Sequence, residues 1–193
     1  MNKENSLYLF IIIFISICGY TYYEGMSNEV TYVKSNIDQR DYLVRNVDDK
    51  QEAADLLARM RVNIDKLLKY LQDKFDSDPV KRLIKKYDPN NITESSSKSK
   101  YTSYSVNKGE KIVLCIRSRD DSARLTDLNT ITFVALHELA HVMTVSIGHT
   151  EEFWSNFRFL LNKAIDIDIY KKVDYSKHPK KYCGIKITDS PIF

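Results

Sequence analysis

The chain has 193 residues, of which 43% are hydrophobic and 28% are charged, values typical of one globular domain with a short appendage. Five glycines and four prolines argue against low complexity. The formal net charge is only +3, and no block of basic residues stands out, so charge gives nucleic-acid binding no support.

An uncharged stretch, LYLFIIIFISICGYTYY, occupies residues 7–23. As a helix it would span roughly 25 Å, close to the thickness of a hydrocarbon core. Its last residues are rich in tyrosine, as in an interfacial belt. We therefore predict a membrane anchor over residues 1–23. The alternatives are a buried apolar helix and a cleaved signal peptide, but Lys3 is offset by Glu4 and no small-residue cleavage site follows.

The polar stretch at residues 24–47 is interpreted as a linker, and the folded domain is expected over residues 48–193. Its first helix should begin after Asp48, which is a candidate N-cap residue. Apolar residues then recur at helical spacing to about Phe75. The other side of this helix carries alternating charges, which indicates a solvated face.

A short helix, a loop and a hairpin are expected next. The segment PVKRLIKKY follows an Asp-Pro pair and predicts a helix over residues 79–87. Residues 88–100, DPNNITESSSKSK, have the composition of a loop. Residues 101–117 predict a β-hairpin because YTSYSV and KIVLCIR flank NKGE. Both faces of the second strand are apolar, so we expect it to be covered on both sides.

A long helix is predicted from about Asp127 to Ile147, with Gly148 placed to end it. Thr150 can cap the next helix, which carries an aromatic and aliphatic stripe. Helices combined with a hairpin in this order predict an α+β fold.

The compartment of the domain stays open at this stage. Cys115 and Cys183 could pair in an oxidising compartment or stay reduced. Asn91 begins a glycosylation sequon, although such triplets often arise by chance. The positive charges on the two sides of the apolar stretch are nearly balanced, so the side of the membrane is not assigned.

The motif H-E-x-x-H is formed by His137, Glu138 and His141 in the long helix. Residues four apart lie on one helix face, so both imidazoles can bind one metal ion. Glu138 lies about 100° round the helix, close enough to take a proton from a metal-held water. This arrangement predicts zinc-dependent hydrolysis of peptide bonds. The alternative is a pair of core histidines satisfied by hydrogen bonds.

A catalytic zinc usually has three protein ligands. We predict His149 as the third, because Gly148 can turn the chain sharply back towards the helix. Four acidic residues are weaker candidates for the third ligand: Glu151, Glu152, Asp166 and Asp168.

An oxyanion-stabilising donor and carboxylates that orient the imidazoles should also be present. Residue type alone gives three candidates for the donor, of which we choose the last: Tyr175, His178 and Tyr182. Three carboxylates are candidates for the orienting role: Asp127, Asp166 and Asp189.

The residues HELAH…GHTEEFW resemble the SprT-like and WLM families of zincin metalloproteases, over about residues 100–165. The resemblance implies a minimal zincin-like α+β domain, one zinc ion bound by His137, His141 and His149, and Glu138 as general base. It also implies a protein or peptide substrate. Some proteases of this group digest proteins crosslinked to DNA. Those enzymes are soluble and carry separate DNA-binding parts. This chain has a predicted anchor and no basic module, so nucleic acid is not expected as a partner here.

The strand at residues 111–117 could hold extended substrate by β-pairing, as a strand beside the active-site helix does in zincins, or it could be purely structural. We predict a membrane-anchored zinc metallopeptidase. One alternative is a non-catalytic, membrane-tethered binding domain in which zinc only staples the fold. The other is a DNA-associated protease of the crosslink-repair type.

Overall fold

The computed structural model describes residues 3–27, 29–120 and 122–193. The helices of this part of the chain are α1 (Lys3–Ser27), α2 (Lys50–Lys74), α3 (Asp78–Lys86), α4 (Leu128–Met143) and α5 (Glu151–Asp166). The strands are β1 (Val30–Lys34), β2 (Asp41–Arg45), β3 (Ile92–Glu94), β4 (Ser103–Val106), β5 (Lys111–Leu114), β6 (Lys180–Tyr182) and β7 (Ile185–Ile187).

The first five strands form one mixed sheet in the order β1-β2-β3-β5-β4. β1 pairs antiparallel with β2, and β4 pairs antiparallel with β5, while β3 runs parallel to both β2 and β5. β6 and β7 form a separate two-stranded hairpin. The predicted α+β fold is confirmed, and so is the hairpin within residues 101–117.

Two segments predicted to be irregular belong to the sheet. The supposed linker at residues 24–47 contains β1 and β2, so this prediction was wrong. The supposed loop at residues 88–100 contains β3, which lies in the middle of the sheet. β3 has only three residues, and one of them, Glu94, is a charged side chain that is 4% exposed. So short a strand with a buried charge has no hydrophobic period to detect.

The buried Glu94 is satisfied by partners far away in sequence. It accepts hydrogen bonds from Nε of Arg117 at 2.8 Å and from the backbone N–H of Arg45 at 2.7 Å. Arg117 in turn pairs with Asp49 at 2.5 Å, just before α2 begins. Asp49, and not the predicted Asp48, is the N-cap residue of α2. These contacts tie β3 to its neighbours and to the start of α2.

α4 lies at the centre of the domain. It packs against α2, α3 and α5 and against the β4 and β5 end of the sheet. Its apolar residues are buried nearly all round, including Leu136, Leu139 and Ala140 at 0% exposure. A helix enclosed on so many sides holds its polar side chains in fixed positions, because neighbouring elements leave them little freedom.

α1 contains a stretch, Leu7–Glu24, that is long and apolar enough to cross a membrane. None of this stretch is buried against the rest of the chain, and the described side chains of α1 are exposed. α1 contacts β1, the edge strand farthest from β4. The helix therefore lies outside the domain core.

Cys115 and Cys183 form a disulfide, with Cα atoms 6.2 Å apart. The bond joins the end of β5 to the turn between β6 and β7, across 68 residues of sequence. The question left open by the sequence is therefore decided in favour of pairing. Cys18, in α1, is free and exposed.

Candidate metal centre and active-site cleft

α4 presents the first two histidines on one face. The helix begins after Asp127, whose side chain caps it by accepting a hydrogen bond from the backbone N–H of Thr130 at 2.9 Å. His137 and His141 are one turn apart, and their Nε2 atoms lie 3.2 Å from each other. Phe153 of α5 stacks on the His141 ring, with centroids 4.3 Å apart.

α4 ends at Met143, one turn before the predicted Ile147. Thr144 takes an extended backbone conformation, and its Oγ1 donates to the carbonyl oxygen of Ala140 at 2.7 Å. A threonine hydroxyl competes in this way with continuation of the helix. The chain then turns through Gly148, which has the positive φ of +85° that the turn requires.

The returning chain brings His149 to the helix. Its Nε2 lies 3.1 Å from Nε2 of His137. Thr150 then caps α5, as predicted, by accepting a hydrogen bond from the backbone N–H of Phe153. The ligand atoms of His137, His141 and His149 all lie within 4.8 Å of one another.

Three side chains hold the loop between α4 and α5 in place. The Glu152 carboxylate accepts hydrogen bonds from the backbone N–H of Val145 at 2.9 Å and of Ser146 at 3.1 Å. Nζ of Lys108 donates to the carbonyl oxygen of Val145 at 2.7 Å. Arg82 donates to the last carbonyl of α4, that of Met143. The position of His149 is therefore fixed by contacts from α3, from α5 and from the turn after β4.

The three imidazoles suit a zinc ion. Zn–N bonds of 2.0–2.1 Å in a tetrahedron place the ligand nitrogens about 3.3 Å apart. The Nε2 atoms of His141 and His149 lie 3.2 Å and 3.1 Å from that of His137, close to this value. Burial, together with the neighbouring imidazoles, lowers the pKa of His137 to about 3. Burial, with smaller contributions from His149 and Lys108, lowers the pKa of His141 to about 4. Both rings are therefore neutral at pH 7, with lone pairs available to a metal.

Glu138 lies beside this cluster and is 6% exposed. Burial raises the pKa of its carboxyl to about 7, while a hydrogen bond from the backbone of Ser105 opposes that shift. Glu138 and the three histidines line a cleft of about 660 Å³. One wall of the cleft is β4 with the residue before it, and another is the β6–β7 hairpin.

The structure separates the three candidate oxyanion donors. Tyr182 lines the cleft, and its hydroxyl lies 2.7 Å from Oγ of Ser103. Tyr175 is 2% exposed and packs on Phe133, with ring centroids 4.9 Å apart. His178 is exposed in a turn and does not line the cleft. Tyr182 alone of the three lies in the cleft.

Two aspartates among the acidic candidates have other partners. Asp127 caps α4 and pairs with Lys180 at 2.8 Å, and Asp166 pairs with Lys163 at 2.6 Å. Asp189 lines a second depression, which also touches His137 and Glu151. Asp168 is exposed after α5. Of the three orienting candidates, Asp189 is the one that shares a cavity with a site histidine.

Sequence reasoning missed the polar residues that surround the cluster. Glu152 was considered as a ligand, whereas its carboxylate is committed to the backbone of the loop. The cleft-lining Ser103, Ser105 and Lys108 received no role. Only the position of Glu152, two residues into a helix that follows a tight turn, offered a signal for such a contact.

Comparisons with known proteins identify the family of the chain. Residues 36–191 match the WLM domain. The chain belongs to the WLM family. An uncharacterised protein of Acanthamoeba polyphaga mimivirus is 38% identical to this WLM protein over 170 residues, which cover 84% of each chain. An uncharacterised protein of Invertebrate iridescent virus 6 is 37% identical over 82 residues, 42% of this chain and 44% of its own.

Among solved structures, the crystal structure of a Wss1 mutant from Saccharomyces cerevisiae matches with a TM-score of 0.50. It is 20% identical in sequence and covers 65% of this chain and 88% of its own, so the likeness concerns the fold. WLM membership supports a protease-type function for this chain.

Proposed function

We propose that this WLM protein is a zinc-dependent metallopeptidase anchored to a membrane, with a protein or peptide as substrate. One observation carries the proposal, namely the convergence of three histidine Nε2 atoms beside a buried carboxylate in an open cleft. His137, His141 and His149 would hold the zinc ion. When bound, zinc polarises a carbonyl group and lowers the pKa of a water molecule to about 7.

Glu138 is the general base and then the general acid. Its carboxylate takes a proton from the attacking water and passes it to the nitrogen of the leaving amine. Its position, next to His137 in sequence and facing Ser105 across the cleft, suits this shuttle. The location of Glu138 in the cleft also favours catalysis over a purely structural metal site, because a structural site has no use for such a carboxylate.

Tyr182 is proposed to stabilise the negative charge that develops on the carbonyl oxygen. Its hydroxyl faces the cleft wall formed by β4 and is held by Ser103. Fixed donors of this kind stabilise an oxyanion because they need no reorganisation during the reaction.

The substrate is proposed to pair with β4, and not with residues 111–117. β5 has β3 on one side and β4 on the other, so both of its backbone edges are already hydrogen-bonded within the sheet. β4 is an edge strand, and Ser103, Tyr104 and Ser105 line the cleft next to Glu138. An extended peptide can add to such an edge through backbone hydrogen bonds.

The membrane anchor is α1. Its exposed, largely apolar stretch of 18 residues, Leu7–Glu24, needs an apolar surrounding, because leaving so many large apolar side chains in water is unfavourable. Alkaline carbonate extraction of membranes tests this, since an integral protein stays in the pellet. A variant lacking residues 7–23 should appear in the supernatant, and equal release of both proteins would contradict the proposal.

Metal content tests the centre most directly. The full-length protein, purified in detergent micelles, should contain one zinc per chain by elemental mass spectrometry. His149→Ala should bind zinc more weakly in competition with a chelator. His178→Ala is the matched control, because it removes an exposed histidine outside the cleft. A folded wild-type protein that binds no zinc under these conditions would overturn the proposed function.

A further inference from the structure

A second groove adjoins the cleft. It has a volume of about 710 Å³, and it shares Tyr182 and Ile185 with the cleft, so the two cavities meet at the β6–β7 hairpin. Five cationic side chains line it: Arg119, Arg124, Lys180, Lys181 and Lys186. The cleft itself has mainly apolar and neutral polar walls, and Lys108 is the one cation among its described lining residues other than the histidines.

The described carboxylates in the groove are already engaged. Asp127 accepts hydrogen bonds from the backbone N–H of Thr130 and from the Thr130 hydroxyl, and it pairs with Lys180. Asp120 accepts from the hydroxyls of two serines in its own turn. Among the residues that the structure describes, none forms an ion pair with Arg124, Lys181 or Lys186.

The two lysines of this set lie directly opposite each other. Lys181 of β6 and Lys186 of β7 are register partners in the antiparallel hairpin, and both are exposed. Like charges at directly opposite positions destabilise a strand pair. An anion bound between them would remove that repulsion, so the hairpin is better suited to an anionic ligand than to solvent alone.

The groove lies at one end of the substrate-pairing strand. Ser103, near the start of β4, contacts Tyr182, and Arg119 donates to the carbonyl oxygen of Tyr101 at 2.7 Å. Ser105, later in β4, faces Glu138. A peptide that runs antiparallel to β4 would therefore pass Glu138 first and reach the groove with its C-terminal part.

We propose that this groove binds an acidic segment of the substrate, on the C-terminal side of the cleaved bond. The proposal rests on the proposed function, because it names the substrate class of the same cleft. Carboxylates of an extended peptide in this groove would lie among Lys181, Lys186 and Arg124, which all line it. A peptide is favoured over nucleic acid because the groove continues a cleft whose edge strand offers backbone pairing.

The test measures binding without turnover. Full-length, zinc-loaded Glu138→Gln protein in detergent micelles is titrated into a fluorescein-labelled peptide with a glutamate-rich C-terminal half, and fluorescence anisotropy is recorded. Three comparison probes are used. One peptide has glutamine in place of glutamate, a second (the glutamate-first peptide) has its glutamates in the N-terminal half, and the third probe is an oligothymidylate. Charge reversal with K181E and K186E should weaken binding of the acidic peptide about tenfold.

The matched control reverses two exposed lysines on α2, K66E and K69E, which changes the net charge equally outside both cavities. It should bind the acidic peptide as the parent protein does. Equal binding of the acidic and glutamine-rich peptides would overturn the inference. Equal binding of the acidic peptide by both double variants would also overturn it, as would a preference for the glutamate-first peptide. A third contrary outcome is that oligothymidylate binds more tightly than the acidic peptide and that K181E and K186E abolish this binding.

Zinc is measured in the same samples, so that the two proposals fail separately. A zinc-loaded protein that does not bind the acidic peptide refutes the groove assignment alone. A folded protein without zinc refutes the proposed function, and with it the substrate role of the groove.

Discussion

Glu152 accepts two hydrogen bonds from Ser146, one from its backbone N–H at 3.1 Å and one from its hydroxyl at 2.8 Å. This contact fixes the loop that carries His149 to the first turn of α5. Glu152→Ala should therefore weaken zinc binding about tenfold, because residues that orient a metal ligand typically matter to that extent. Chelator competition on the full-length protein measures the change.

The neighbouring Glu151→Ala is the control for that experiment. It removes an acidic side chain from the same helix turn, and with it a similar interaction with the helix dipole, but it leaves the loop contacts intact. If both variants bind zinc equally well, Glu152 does not position His149.

Glu138→Gln should retain zinc and lose turnover. The amide has the shape of the carboxylate but cannot accept the proton of the attacking water, so kcat should fall by roughly 10²–10⁴. Mass spectrometry of a digested peptide library would first identify a substrate of the wild-type protein, and its cleavage rate is then compared between the two. Undiminished cleavage by the variant, with metal content unchanged, would contradict the role of Glu138.

Tyr182→Phe should lower kcat roughly a hundredfold with little change in KM, as the loss of one oxyanion donor does elsewhere. The ring remains to fill the buried space, since Tyr182 is 3% exposed. Ser103→Ala is the companion variant, because it removes the partner that holds the hydroxyl. An unchanged kcat in Tyr182→Phe, or a rise in KM alone, would assign the tyrosine to packing or substrate binding.

The disulfide should matter for stability and for the wall of the cleft. Replacing Cys115 and Cys183 by alanine releases a closed loop of 68 residues, which should cost about 4 kcal/mol in free energy of unfolding by the chain-entropy relation. Chemical denaturation monitored by tryptophan fluorescence measures this loss. Cys18→Ala, at the free cysteine, should leave the unfolding free energy unchanged.

Sequence reasoning was most successful where the determining contacts are local. The pairing of His137 with His141 follows from helix periodicity, and the hairpin within residues 101–117 follows from alternating strands round a turn. It failed for β3, whose three residues become a strand only because β2 and β5 lie on either side. It offered residues 111–117 for substrate pairing, with a purely structural strand as the alternative, because sequence does not tell which strand of a hairpin lies at the edge of a sheet.

The sequence by itself determined the H-E-x-x-H motif, the α+β class and the apolar N-terminal stretch, since each is a pattern among residues close along the chain. Only the tertiary structure decided that Cys115 pairs with Cys183, that β4 is an edge strand beside the cleft, and that Glu152 holds the loop of His149. It also brought Tyr182 to the cleft, 44 positions after Glu138 in the chain. These relationships depend on packing between segments that are distant in the chain. Contacts of this kind do not produce a repeating pattern of residue types in the sequence.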